Sequence, residues 1–172
     1  ANNYYNFSDI IKKRLNNEKI LALDIGAQGG FNSDNFFPTK YNKFFEPILV
    51  EPIKKEAEKL KAQNKYVIDQ GIWSSQAIKN IYILGNRLGS SSMYKPDSSY
   101  FDIHKINKKD FKNYDVTETI QIDCDSLNSS LKNLKIDKLD YLKIDTQGAE
   151  LEILKGIGTY RPLLIKIEAH IF

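Results

Sequence analysis

The stretch from Leu21 to Gly30 constrains this chain more than any other. An apolar run ends in Asp24, and a glycine-rich turn follows at once. In doubly wound α/β proteins, a parallel strand delivers its carboxyl end to a ligand through such a turn. Glycine lets the backbone approach the ligand closely and adopt positive φ angles. The pattern therefore predicts a ligand site at residues 24–30, at the end of the first strand of a parallel sheet.

The acid in this turn narrows the choice of ligand. A dinucleotide would place its pyrophosphate over the turn, where the Asp24 carboxylate would repel it. The spacing also departs from the G-x-G-x-x-G fingerprint, because Gly26 is followed by Ala27, Gln28 and Gly29. S-adenosylmethionine carries a sulfonium and an ammonium but no phosphate. The turn therefore favours this methyl donor over a nicotinamide dinucleotide.

Composition and charge restrict the class of protein. The 172 residues are 41% hydrophobic, which suffices for a core and predicts one domain over residues 1–172. A net charge of +3 with scattered lysines argues against nucleic acid as a partner. Cys124 is the only cysteine, so a disulfide framework and a thiolate metal cluster are excluded. Because no apolar segment is long enough to span a membrane, we expect a cytoplasmic protein without a membrane partner.

Alternation of strand and helix patterns predicts a mostly parallel sheet with helices on both faces. The predicted helices cover residues 7–16, 53–64 and 125–134, a fourth ends at Gly156, and a short broken helix is expected at 31–41. The predicted parallel strands cover residues 19–23, 47–52, 66–69, 139–145 and 163–168. Segments 78–84 and 117–123 predict an antiparallel pair inserted into this plan.

The long polar and aromatic loop between these two antiparallel strands is a second candidate for function. Loops of this length inside a compact domain are commonly functional or disordered. We predict that residues 85–115 form a mobile cover over the acceptor site. Three serines at 90–92 either contact a substrate or form turns, and the turn interpretation is slightly favoured.

Acids stand at or beside the ends of three successive strands. Asp24, Glu51 and Asp69 hold these positions, and packing alone hardly accounts for the pattern. Glu51 follows Asp24 by 27 positions, slightly beyond the usual offset for the carboxylate that holds ribose hydroxyls. Asp69 taken singly is equally compatible with a solvated loop residue.

Four segments of the chain resemble the FkbM family of S-adenosylmethionine-dependent methyltransferases. They cover residues 24–30, 50–52, 143–156 and 161–168, and so extend over nearly the whole chain. The first segment is generic to methyltransferases. The Lys-Ile-Asp run at 143–145, with the Gly, Glu and Lys-Gly that follow it, is much more specific.

The resemblance implies a Rossmann-like class I methyltransferase fold. It also implies transfer of a methyl group to a hydroxyl oxygen of a sugar, a glycan or another natural product. Glu51 would take the ribose hydroxyls of S-adenosylmethionine, and Asp69 is a candidate contact to the adenine. The residues implied at the methionine end of this donor are Asp24, Gly26, Ala27 and Gly29.

Two features depart from the family pattern. Gln147 stands where many members have glutamate, so this chain carries no charge at this position. The chain also stops after its fifth parallel strand, where a complete methyltransferase sheet continues to a sixth and a seventh. We therefore expect that the C-terminal strands are lacking and that the chain is a fragment.

A base that accepts the proton of the acceptor hydroxyl would speed methyl transfer. The candidates at the carboxyl ends of the fourth and fifth parallel strands are Asp145, Glu168 and His170. Only the histidine has an unperturbed pKa near neutrality, although a lone histidine near a chain end is more often a surface residue. Two carboxylates make a thin shell for Mg²⁺, so we expect no metal. A nicotinamide-dependent oxidoreductase and a non-catalytic cofactor-binding module stay open as alternatives.

Overall fold

The centre of the fold is a parallel sheet. A computed structural model of the chain describes residues 7–101, 103, 105 and 107–168. Five strands form the main sheet: β1 (Ile20–Ile25), β2 (Phe45–Val50), β3 (Tyr66–Ile68), β7 (Tyr141–Ile144) and β8 (Leu164–Ile167). They pair in parallel in the order β3-β2-β1-β7-β8. The direction of strand succession therefore reverses between β1 and β7, which is where open α/β sheets bind ligands.

A second, smaller sheet lies between β3 and β7 in the chain. Its strands are β4 (Gly71–Trp73), β5 (Ala77–Leu84) and β6 (Val116–Ser126), in the order β4-β6-β5. The pair β5 and β6 is antiparallel, and β4 runs parallel to β6. The helices are α1 (Phe7–Leu15), α2 (Lys54–Lys61), α3 (Leu127–Asn133) and α4 (Glu150–Lys155). Short 3₁₀ turns occur at Thr39–Phe44, Leu88–Ser90, Ser98–Tyr100 and Lys108–Tyr114.

The main core lies on one face of the parallel sheet. Leu23 and Ile25 of β1 pack there with apolar residues of β2, β7, α3 and α4. Because side chains alternate along a strand, the residues between them project from the opposite face. Asp24 and Lys143 are directly paired across β1 and β7 in this register. The sheet therefore carries a buried pair of opposite charges on the face away from the main core.

The predicted architecture is confirmed. The fold is a Rossmann-like α/β fold with a mostly parallel sheet, and the predicted antiparallel pair corresponds to β5 and β6. The short strand β4 was not predicted, because Gly71–Trp73 is too short to show an alternating pattern. No helix in the described part of the chain is long and apolar enough to cross a membrane.

The broken helix predicted at residues 31–41 is wrong. Residues 31–38 form turns, and only a 3₁₀ turn at Thr39–Phe44 follows them. Asn32 and Asn35 have positive φ angles, which interrupt a right-handed helix. The Asn32 side chain also bonds to the backbone of Phe37, donating to its carbonyl and accepting from its amide. Such local side-chain bonds compete with helical hydrogen bonds, so the aromatic residues are arranged by turns.

Candidate active site

A cleft opens at the carboxyl ends of the parallel strands, beside the point where strand order reverses. It holds about 730 Å³ of space free of protein atoms, its open mouth included. One wall is apolar and contains Ile53, Ile72, Ile81 and Met93. The apolar wall suits a flat heterocycle.

The glycine turn after β1 forms part of the cleft. Gly26 has a φ angle of +86° and lies against the end of β7. A Cβ atom at Gly26 would come within 2.0 Å of the carbonyl oxygen of Asp145. Only glycine fits this close approach, so the turn joins the ends of β1 and β7 into one rim. Ala27 is fully buried behind the rim, and Gly29 lines a smaller recess beside Glu51.

Glu51 follows β2 and lines the cleft, and its predicted contact with ribose hydroxyls stays a prediction. It is 5% exposed, and its Oε1 accepts a hydrogen bond of 2.9 Å from the backbone amide of Ile53. Burial raises the pKa of Glu51 above its usual range, although the Ile53 amide works in the opposite direction. One oxygen is thus fixed by the backbone. This geometry fits a carboxylate that accepts hydrogen bonds from ligand hydroxyls.

Asp24 lies beneath the turn rather than on the lining of the cleft. Its Oδ1 is 3.2 Å from Nζ of Lys143, and both side chains are almost completely buried. Burial raises the pKa of Asp24, and the single lysine does not offset it. The structure thus brings Asp24 next to the rim but points its charge at Lys143. A direct contact of Asp24 with the donor stays a prediction.

Lys143 is the centre of a charged cluster that the sequence analysis did not single out. Its Nζ is also 3.8 Å from Oδ2 of Asp34 and 3.7 Å from Oδ2 of Asp145. Burial acts to lower the pKa of Lys143, but the three carboxylates outweigh burial and raise it. Asp34 in turn pairs with Lys166 of β8. A lysine inside an otherwise apolar parallel strand is the signal that could have revealed this cluster, since a buried lysine needs acidic partners.

Asp69 lies away from these residues. Its carboxylate is half exposed and forms an ion pair of 2.7 Å with Lys61 of α2. The hydrogen bond that Lys61 donates within this ion pair lowers the pKa of Asp69. Asp69 is not among the described residues that line the cleft. An adenine contact from Asp69 stays a prediction.

The loop between β7 and α4 supplies the polar side of the cleft. Asp145, Thr146 and Gln147 line the cleft here. Oε1 of Glu150 accepts three hydrogen bonds of 3.0 to 3.1 Å, from the amide and hydroxyl of Thr146 and the amide of Gly148. Glu150 therefore fixes the loop from within the first turn of α4.

The long central loop closes this side of the cleft. Gly89, Ser91, Ser92 and Met93 all line it. The Ser92 hydroxyl donates a hydrogen bond of 2.6 Å to the carbonyl of Gln147 and accepts one from the amide of Tyr94. The Ser91 hydroxyl accepts from the amide of Leu84. These two serines thus stabilise the loop by hydrogen bonds, and they also line the cleft.

The three candidates for the base are placed differently. Asp145 lines the cleft. Glu168 is exposed, and its amide bonds to the carbonyl of Ile144, so the backbone of Glu168 lies beside that of Asp145. His170 lies outside the described residues. In the part of the chain that the structure describes, no three His, Cys, Asp or Glu side chains are grouped as a metal ion would require.

One of three comparisons with known proteins found a match. Residues 24–172 match the methyltransferase FkbM domain. Neither the curated proteins nor the solved structures contain a match to this chain. The matched range includes the glycine turn, Glu51 and the loop that carries Asp145, and it covers most of the 172 residues. The chain therefore belongs to the FkbM methyltransferase family.

Proposed function

We propose that this protein transfers a methyl group from S-adenosylmethionine to a hydroxyl oxygen of a sugar, a glycan or another natural product. The observation that carries the proposal is the pairing, in one cleft, of the buried Glu51 carboxylate with the glycine turn and Asp145. When bound, S-adenosylmethionine supplies a methyl group from its sulfonium. Transfer of this methyl group leaves a neutral thioether. The protein must hold this donor, align the acceptor oxygen and accept its proton.

The donor side of the cleft fits the chemistry of S-adenosylmethionine. Glu51 would accept hydrogen bonds from the ribose hydroxyls, and the apolar wall at Ile53, Ile72 and Met93 would cover the adenine. The backbone at Gly26 would face the methionine part. The charged side chains that line this cleft in the described chain are Glu51 and Asp145, both acidic, so a cationic donor is favoured over a pyrophosphate.

The acceptor side of the cleft is polar and rich in hydrogen-bonding groups. Ser91, Ser92, Thr146 and Gln147 offer uncharged donors and acceptors, and Asp145 adds a carboxylate. Such a set suits a hydroxylated acceptor. We assign the base to Asp145, because it is the candidate that lines the cleft, and keep Glu168 and His170 as alternatives. The proposal also keeps the expected cytoplasmic location, supported by the unpaired Cys124.

The first experiment is a calorimetric titration of the purified chain with S-adenosylhomocysteine and, separately, with NAD⁺. We expect binding of S-adenosylhomocysteine only, weakened about 10- to 100-fold by Glu51→Gln, because a hydrogen bond to a charged group contributes roughly 1.5–3 kcal/mol. Acceptors are then screened by transfer of a labelled methyl group to a panel of sugars and glycans.

Glu58→Gln is the matched control, since Glu58 is an exposed acid of α2 that pairs with Lys61. It should leave the affinity for S-adenosylhomocysteine unchanged. Binding of NAD⁺ in place of S-adenosylhomocysteine would overturn the proposal in favour of an oxidoreductase. Tight donor binding without transfer to any acceptor would instead favour a non-catalytic cofactor-binding module.

A further inference from the structure

Gln147 has an unusual backbone and a specific side-chain contact. Its φ angle is +57°, a left-handed conformation that is costly for a residue with a Cβ atom. In this conformation Nε2 donates a hydrogen bond of 3.1 Å to Oδ1 of Asp145, two residues earlier. The strained backbone thus turns the side chain back onto the carboxylate that lines the cleft.

The surrounding loop holds Gln147 in this conformation from two sides. The Ser92 hydroxyl bonds to the Gln147 carbonyl. The Glu150 carboxylate bonds to the residues before and after Gln147, at Thr146 and Gly148. Backbone strain persists only where the surroundings over-determine it, and it concentrates at functional sites.

Asp145 is consequently held at both of its oxygens. Oδ1 accepts from the amide of Gln147, and Oδ2 faces the ammonium of Lys143 at 3.7 Å. Each carboxylate oxygen has a second lone pair. A lone pair therefore stays available for an acceptor hydroxyl in the cleft, while rotation of the carboxylate is restricted.

We infer that Gln147 is a positioning residue that orients the Asp145 carboxylate toward the acceptor and, being uncharged, does so without repelling it. The inference rests on the proposed function for the acceptor and for Asp145 as its base, whereas the contact of Gln147 with Asp145 is independent of it. The proton of the acceptor hydroxyl passes to a carboxylate oxygen of Asp145, and the amide of Gln147 neither gains nor loses a proton. In this chain the uncharged amide leaves Asp145 as the only carboxylate at this contact, whereas a second carboxylate at the same distance would compete for that proton.

The decisive variant is Gln147→Glu, which keeps the shape of the side chain and exchanges the amide for a carboxylate. Two carboxylates within hydrogen-bonding distance titrate as a coupled pair, and one of them keeps its proton to higher pH. We expect the titration of the Asp145 side chain, followed by NMR on ¹³C-labelled protein, to move upward by about one pH unit or more. The Asp145 signal is assigned with Asp145→Asn, and no acceptor is required.

Gln28→Glu is the matched control. Gln28 also lines the cleft, near Gly89, so the substitution adds the same charge to the same cavity without the contact to Asp145. We expect a much smaller shift of the Asp145 titration in this variant. The charged groups around Asp145 that both variants leave in place are Lys143, Asp24, Asp34, Glu51 and Glu168.

The outcomes separate this inference from the proposed function. Equal shifts in the two variants would show a general charge effect and overturn the role of Gln147, as would an unchanged titration in Gln147→Glu. If Gln147→Glu does not fold, Gln147→Asn replaces it, because asparagine tolerates a positive φ angle but is one methylene shorter. The shorter side chain of Gln147→Asn cannot make the same contact, so Asp145 should titrate differently in this variant than in the parent protein. Failure of S-adenosylhomocysteine to bind would refute the donor assignment and leave the titration result standing.

Discussion

At the scale of single residues, the close contact of Gly26 with the end of β7 limits what the turn can accept. The Cβ atom of an alanine at Gly26 would meet the Asp145 backbone at 2.0 Å, in addition to the strain of a positive φ angle. The backbone at Gly26 and the backbone at Asp145 cannot easily move apart, because β1 and β7 are hydrogen-bonded neighbours. The two strands of the rim would therefore have to separate for any other residue to fit.

We predict that Gly26→Ala lowers the free energy of unfolding by more than about 3 kcal/mol, or prevents folding. Gly30→Ala is the control, because Gly30 has a φ angle of +95° but no atom within 4 Å of the position of a Cβ. It should lose only the strain of a left-handed alanine, about 1–2 kcal/mol. Urea denaturation of both variants makes the comparison. Equal losses would mean that the contact with β7 does not restrict the turn.

At the scale of elements, the central loop is connected to the loop between β7 and α4 by Ser92. The hydroxyl of Ser92 makes two hydrogen bonds, one to each loop. Gly89 of the same central loop lies close to Gln28 of the glycine turn. These contacts place Gly89 and Ser92 beside the cleft. The mobile cover predicted for residues 85–115, of which 102, 104 and 106 lie outside the described residues, stays a prediction.

We predict that Ser92→Ala speeds amide hydrogen exchange in residues 88–94 by about 5-fold, because a lost hydrogen bond costs about 1 kcal/mol. Addition of S-adenosylhomocysteine and an acceptor should slow exchange in the same segment of the parent. Ser90→Ala is the control, since the Ser90 hydroxyl makes no hydrogen bond among the described residues, whereas its backbone amide does. If neither ligand changes the exchange rate of residues 88–94, the segment is an ordinary surface loop and the predicted cover is wrong.

The elements also show which features of the fold can be predicted from sequence. The parallel strands were predicted because β1, β2 and β7 are buried on both faces and read as apolar runs. The turns at residues 31–38 were mistaken for a short broken helix. Their conformation depends on Asn32, whose side chain selects a turn by bonding to backbone five residues away.

The site was predicted only in part for a similar reason. Glu51 and the glycine turn follow directly from the ends of parallel strands, where ligands bind. The ion pair of Asp24 with Lys143 depends on the register of two strands that are far apart in sequence. The contact of Gln147 with Asp145 depends on the left-handed backbone of Gln147, which no local sequence pattern predicts. Strand ends are therefore predictable, but the directions of the side chains there are not.

At the scale of the whole molecule, the buried acid at the cleft influences stability. Burial gives Glu51 a raised pKa in the folded protein, so the folded state holds this proton to higher pH than the unfolded state. The stability of the protein therefore falls as the pH rises from the ordinary value near 4.5 to the raised value. Above the raised value, the penalty for a buried charge is constant.

We predict that Glu51→Gln is more stable than the parent at neutral pH while it binds the donor less tightly. Glutamine keeps an oxygen for the Ile53 amide and carries no charge to bury. The gain should shrink as the pH falls and disappear below about pH 4, where Glu51 is protonated in both states. Thermal unfolding of the two proteins between pH 3 and 8 measures the difference. A parent that is the more stable of the two at neutral pH would contradict the prediction.

The second sheet comes from one uninterrupted stretch of chain, residues 71–126, whose strands pair with one another. That stretch contributes Ser91 and Ser92 to the polar side of the cleft and Ile72, Ile81 and Met93 to its apolar wall, while the glycine turn and Glu51 follow strands of the parallel sheet. Mutations or insertions in this one gene segment can reshape these parts of the cleft without altering the strand order of the parallel sheet. Descendants of such a gene can therefore diversify in what they recognise while inheriting an unchanged glycine turn and Glu51.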